Sequence, residues 1–361
     1  ETAGPLDQLL TQAGTGAVRR LMPARPAVRF LAAAARRPER VATRAGGLAA
    51  EMVRIAVGVS SVAPAKRDRR FADPAWTQNP ALRRVVQAYL AASETVEGLV
   101  QDIPMEWADA EQVQFAATNL VAAASSSNNP FLSPVAWKAL IDTGGGNLLR
   151  GPRNLVKDLS TSPRVPSMVN QKAFRVGRDL ALTPGQVVLR TPMFEIIQYR
   201  PSTAKVREVP LLIIPPTINK YYILDLAPDR SLIEYLVGQG QQVFVMSWRN
   251  PDSRHSKWGF DAYAEGILEA FDAVVDISEA EKAHVVAACS GGLLACLTAG
   301  QRTAVGKVDR LASLSLLVTM IDQSRSGVTT AVMDEGLAAR AVASSRRKGY
   351  LDGSSLSEVF A

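Results

Sequence analysis

Residues 284–292 read His-Val-Val-Ala-Ala-Cys-Ser-Gly-Gly, an apolar run that stops at a thiol and turns on glycines. A thiol or hydroxyl at such a corner can attack an acyl carbon and hold the acyl group covalently. The turn that presents it needs an abruptly ending strand, a strained corner and small residues two places to either side. Centred on Cys289, those small residues are Ala287 and Gly291; centred on Ser290, they are Ala288 and Gly292. Both registers fit the glycine spacing, and a third reading makes Cys289 an ordinary core thiol. These nine residues leave all three open.

The elements that must hold this corner follow from periodicity. From about residue 186 the chain alternates short β-branched runs with helical stretches. The expected strands are Val187–Arg190, Glu195–Tyr199, Leu211–Ile214, Val243–Trp248, Val285–Ala288 and Leu314–Thr319. The expected helices are Ser231–Gly238, Phe260–Ile277 and Gly291–Ala299, the last running through Leu293, Leu294, Leu297 and Thr298. Alternation of this kind predicts an α/β fold with a mostly parallel sheet covered on both faces. Nearly all-apolar strands such as Leu-Leu-Ile-Ile suit burial on both sides. In such a sheet one oxyanion donor is the backbone N–H after the nucleophile, here Ser290, and the other comes from the loop after strand three. Pro215 and Pro216 lack an N–H and stiffen that loop, which passes the donor role to Thr217 or Ile218. Ile218 is the expected donor, with Asn219 as a supporting side chain; an ordinary strand-exit turn is the alternative.

Longer stretches carry a resemblance. Residues 210–225 read Pro-Leu-Leu-Ile-Ile-Pro-Pro-Thr-Ile-Asn-Lys-Tyr-Tyr-Ile-Leu-Asp, and 243–252 read Val-Phe-Val-Met-Ser-Trp-Arg-Asn-Pro-Asp. With Val176–Arg190, Phe194–Tyr199, Ala288-Cys-Ser-Gly-Gly292 and Arg347-Lys-Gly-Tyr-Leu-Asp-Gly353, these resemble the polyhydroxyalkanoate synthases, polyester polymerases of bacterial storage granules. The resemblance runs from about Asn128 to Ala361 and implies an α/β-hydrolase-like domain behind a helical N-terminal domain. It implies Cys289 as nucleophile, (R)-3-hydroxyacyl-CoA as substrate, release of CoA, and growth of a polyester chain on a Cys-bound acyl intermediate. The Ala-Cys-Ser-Gly-Gly form looks more like the medium-chain-using branch than the short-chain one. No cofactor or metal is implied beyond the CoA thioester itself. Dimers and a cytoplasmic, granule-associated location are the family's implied setting. Two rival readings are an α/β-hydrolase esterase or lipase using Ser290, and a non-catalytic scaffold that binds granules.

The chain departs from the family pattern in two places. Ala287 stands where the family's box usually begins with Gly. The two histidines, His255 and His284, both precede Cys289, whereas the order nucleophile, acid, histidine is expected. The expectation is that the catalytic Asp and His lie in a C-terminal segment beyond residue 361, which would leave this chain alone inactive.

Composition sets the remaining bounds. At 361 residues and 47% apolar content, two domains and a sizeable core are expected. The best candidate for a membrane span, 47–63, is broken by Glu51 and Arg54, and no secretory signal pattern is seen at the start. Cys289 and Cys296 are the only cysteines, which argues against a disulfide framework and fits a reducing compartment. The net charge of +7 is concentrated in residues 1–70, where thirteen Lys or Arg face five acids. That stretch contains Phe30 as its only aromatic residue, so nucleic-acid binding is not expected; a solvated, partly helical arm is. The expected division is therefore a basic arm 1–70, a mainly helical domain 71–185 and a catalytic domain 186–361. The helical segment 137–149 leads through the glycines 144–146, which lack the Lys-Ser/Thr ending of a phosphate loop and read as a flexible bend.

Overall fold

Three helices of the N-terminal half start on a proline, whose fixed φ and missing N–H cost nothing in a first turn. They are α2 (Pro38–Val57), α3 (Pro80–Asp102) and α5 (Pro134–Asp142). The computed structural model describes residues 24–161, 170, 172–306, 308–322, 324, 327 and 335–351. It divides into two compact units, the first built mainly from residues up to 166 and the second mainly from 167–323.

The first unit is helical. Besides the helices above it contains α1 (Ala24–Ala35), α4 (Trp107–Ala123) and α6 (Asn147–Ser160). Asn79 caps α3 by accepting the Ala81 and Leu82 N–H groups, and Glu106 caps α4 through Ala108 and Asp109. Trp76, Phe71 and Val86 form one apolar centre, and Val100, Val113 and Ala117 form another with Phe30 from α1.

The basic segment is not the solvated arm expected from its composition. Its described part is largely two helices packed on α3 and α4, with Ile55 and Ala34 buried. Its arginines find acids on those partners: Arg29 meets Asp109 at 2.7 Å, and Arg44 grips both oxygens of Asp102 at 2.7 and 3.1 Å. The Arg44 hydrogen bond holds the Asp102 carboxyl below the usual carboxylate range. Alanine-rich helices show too little apolar contrast for the sequence to reveal which face packs. Residues 1–23 of the arm lie outside the described residues. The unit boundary also falls earlier than expected, near 166 rather than 185. The bend expected at glycines 144–146 separates α5 from α6, with Gly144 and Gly145 at φ of 54° and 82°.

The second unit is a six-stranded sheet in the order β1-β2-β4-β3-β5-β6. The strands are β1 (Gly185–Arg190), β2 (Phe194–Tyr199), β3 (Leu211–Ile214), β4 (Val243–Trp248), β5 (Ala283–Ala288) and β6 (Leu311–Leu317). β4, β3, β5 and β6 run parallel, while β1 and β2 add antiparallel at one edge. Alternate residues face opposite sides. Leu212, Ile214, Phe244, Met246, Val285 and Ala287 pack beneath α8 (Phe260–Ser278) and α9 (Ser290–Ala304). Leu211, Ile213, Val243 and Val245 pack against Ile233 and Val237 of α7 (Leu232–Gly238). A last helix, α10, spans Glu335–Lys348. The α/β expectation with a mostly parallel sheet is what the fold shows.

Candidate active site

β5 ends at Ala288, and the chain turns sharply into α9. Cys289 sits at that corner with φ 51° and ψ −120°, a region that side-chain-bearing residues rarely adopt. Such a conformation costs about 1–3 kcal/mol and survives only where the surroundings enforce it. Here the Cys289 N–H donates to the Leu317 carbonyl of β6 at 3.0 Å, and the Cys289 carbonyl accepts from Leu293. The thiol is half-buried and unbridged.

The two glycines are needed to different degrees. A Cβ on Gly291 would stand 2.5 Å from the Pro215 carbonyl oxygen and 2.8 Å from that of Ile214, both backbone atoms. A Cβ on Gly292 would meet the side chain of Thr319, its Oγ1 at 2.0 Å and its Cβ at 3.0 Å. The strained corner is Cys289, and Gly291, two places on, is the glycine closed in by backbone. Ala287, where the family box has Gly, is fully buried and fits beside the core.

Ser290 has a different role. Its Oγ accepts the Thr217 N–H at 3.0 Å, and the two hydroxyls lie 3.1 Å apart. This bond, spanning 73 residues, ties the loop after β3 to the start of α9. Trp248 holds the same loop from β4: its indole N–H donates to the Pro215 carbonyl at 3.0 Å. At its far end, Thr183 and Ser231 both donate to Asp225 Oδ1 at 2.6 Å. The Thr217 N–H is thus engaged, whereas among the described residues the Ile218 N–H has no acceptor. The Ser290 N–H, first in its helix, has no intrahelical partner either. Asn219 lies in the loop, but its side-chain oxygen accepts the Lys220 N–H at 2.8 Å. The sequence offers Thr217 only as an alternative oxyanion donor and Trp248 only as the end of a strand, since contacts between distant residues leave no local pattern.

Each histidine has its Nδ1 engaged. His284 lies at the outer part of β5, about 16 Å from Cys289 at strand spacing, with Nδ1 2.7 Å from Ser313 Oγ. It is half-buried rather than buried as its position in an apolar run suggested. His255 accepts the Asp252 N–H through Nδ1 at 3.1 Å and stacks on Trp258 with ring centres 4.0 Å apart. Hydrogen bonds from Arg254 keep the Asp252 carboxyl well below its usual range. Among the described residues no group of three or more His, Cys, Asp or Glu stands together as a metal site.

Comparison with known proteins matches this arrangement. Residues 67–236 match the family described as the N-terminus of poly-beta-hydroxybutyrate polymerase (PhaC), and residues 210–338 match the alpha/beta hydrolase fold. Poly(3-hydroxyalkanoate) polymerase 1 of Ectopseudomonas oleovorans is 38% identical over 91% of this chain and 58% of its own length. The polymerase subunit of Cupriavidus necator is 37% identical over 74% of this chain and 45% of its own. A polymerase of Methylorubrum extorquens is 36% identical over 83% and 50%. The chain thus spans roughly half the length of these relatives. These matches make the chain a member of the polyhydroxyalkanoate polymerase family.

Proposed function

We propose that the chain carries the acyl-accepting part of a polyester polymerase acting on (R)-3-hydroxyacyl-CoA. The observation that carries this reading is Cys289 at a strained corner, with two backbone N–H groups free and the neighbouring serine occupied. In the proposed reaction the Cys289 thiolate attacks the thioester carbonyl of the substrate. The new S–C bond forms as the bond to CoA sulfur breaks, and CoA leaves as the thiolate, taking up a proton. One thioester replaces another, so this step is close to balanced. The hydroxyl of a second hydroxyacyl unit then attacks the Cys289 thioester, forming an oxoester and regenerating the thiol. The N-terminus of α9 favours the thiolate. The N–H groups of Ser290 and Ile218 are positioned by sequence as oxyanion donors, worth about 3–4 kcal/mol each in acyl transfer. His284 lies about 16 Å from Cys289 along β5, and neither histidine is assigned as the base. The CoA thioester is itself the substrate, and no cofactor enters the scheme.

The wider setting of the reading comes from the family: a growing polyester chain, a storage-granule surface in the cytoplasm, and a homodimer. Among the described residues no helix is long and apolar enough to cross a membrane. A Ser290-centred hydrolase fits less well, because Ser290 Oγ already binds Thr217 and Ser290 lies within the helix rather than at the corner. The test is covalent labelling by a non-hydrolysable-chain acyl-CoA analogue. Cys289→Ala removes the label, while Ser290→Ala slows it without removing it. Loss of label in Ser290→Ala alone, with Cys289→Ala still labelled, would replace this reading with the hydrolase.

A further inference from the structure

The sharpest amphipathic pattern in the described chain is α6, Asn147–Ser160, in the helical unit. At 100° per residue, Leu148, Leu149, Leu155, Val156 and Leu159 fall within one stripe about 120° wide. All five are open to solvent, from 59% for Leu155 and Leu159 to 80% for Leu149. At the same spacing Arg153, Lys157 and Arg150 lie on the polar face beyond Leu149, about 100°, 140° and 160° from the centre of the stripe, and Asp158 lies about 120° from it on the other side. Nothing in α6 is buried. Gly151 and Pro152 at its centre give it poor intrinsic helicity, so burial of its apolar face must supply what propensity does not. The adjoining α5 adds Ile141, 75% exposed, and Trp137 one turn before it, 48% exposed.

We propose that α6, with α5 beside it, is an interfacial anchor that lies flat on an anionic phospholipid surface. An apolar stripe backed by a polar face rich in cations is the pattern of a helix lying in a headgroup layer, apolar face down, with long basic side chains reaching phosphate. A partner helix would instead call for a narrow seam flanked by charges of both signs. Fourteen residues give a length of about 21 Å, too short to span a bilayer. Trp137, its indole N–H donated to the Phe131 carbonyl, offers the ring to the boundary layer. The inference stands independently of the polymerase reading, since it uses neither Cys289 nor the elbow.

The experiment is flotation of the whole 361-residue chain with vesicles of phosphatidylglycerol and phosphatidylcholine in equal parts, against vesicles of phosphatidylcholine alone. The chain floats with the anionic vesicles, and added salt weakens the binding. Reversing the basic face (Arg150→Glu, Arg153→Glu, Lys157→Glu) lowers partitioning on the order of a hundredfold. Leu149→Asp with Val156→Asp abolishes it, and because these positions are exposed both variants keep the wild-type unfolding temperature. In the unaltered chain, hydrogen exchange over 147–160 slows when anionic vesicles are added, while exchange over 80–102 does not change. The proposal is overturned if the wild type fails to float, or if it binds both vesicle types equally. It is also overturned if 147–160 is already protected without vesicles, or if the apolar variants convert a dimer to a monomer without affecting flotation; either result would assign the face to a protein surface.

Discussion

Gly291→Ala isolates the contact on which the elbow depends. The added methyl would lie 2.5 Å from the Pro215 carbonyl oxygen and 2.8 Å from that of Ile214, roughly an ångström inside ordinary contact. Both obstacles are backbone, and Trp248 and Ser290 pin the segment, so neither side can yield by a rotamer change. Overpacking of this kind costs about 1–3 kcal/mol. Against it stands the gain of Ala over Gly in a helix, at most about 1 kcal/mol and smaller at the second helical position. The net expectation is a loss of roughly 1–2 kcal/mol. For a unit of this size that lowers the unfolding temperature by roughly 2–8 °C. Gly300→Ala provides the control: it lies in the same α9, nothing stands within 4 Å of its Cβ, and it should be stabilising. Thermal unfolding of the two variants beside wild type is the assay, followed by the rate of Cys289 labelling. The reasoning is refuted if Gly291→Ala melts with or above Gly300→Ala, for then α9 and the loop are not in the close contact described.

Three further outcomes follow from the same geometry. Val318, 87% exposed with φ 44°, pays the left-handed cost of a β-branched residue; Val318→Gly is expected to be neutral to about 1 kcal/mol stabilising in denaturant unfolding, and a clear loss would mean its side chain has a partner. The carboxyls of Asp73 and Asp102 are held low by Lys138 and Arg44, so the stability they give is present above the ordinary carboxylate range and is lost as pH falls through their folded-state values. Acid titration of helicity should show this loss below about pH 4, with Asp102→Asn destabilising at neutral pH and flattening the curve. Deleting residues 1–70 removes Phe30 from the cluster of Val100, Val113 and Ala117, so circular dichroism should show loss of helix beyond the deleted part; a variant that retains α3 and α4 at wild-type stability would restore the picture of a dispensable arm.

The sequence was informative where chemistry and local pattern coincide. β3 and β4 begin and end at the expected residues because each is an apolar run closed by Pro215 or by Arg249-Asn-Pro. β6 was displaced by three residues, expected at 314–319 and found at Leu311–Leu317. Its mixed Leu-Ala-Ser-Leu-Ser start looks weak in isolation, and Val318 leaves the strand by a positive φ that valine does not advertise. The two glycine registers were equal in spacing and became unequal only in space, through the strained corner at Cys289. The basic segment was misjudged because charge was visible in the sequence and its acidic partners, 58 and 80 residues away, were not. Thr217 was named only as one of two donors; its bond to Ser290 depends on a loop and a helix brought together by the sheet.

The indole of Trp248 makes the loop after β3 optically visible. Of the five tryptophans in the chain, it is the one whose N–H is bonded to that loop among the described residues, and its ring lies edge-on to Phe194 and Tyr263 at 6.2 and 5.4 Å. A chain keeping only this tryptophan would report, through its emission, whether Pro215 stays in place as an acyl group arrives at Cys289. Loop position and acylation could then be timed separately in one stopped-flow trace, without attaching a dye to a site too crowded for one.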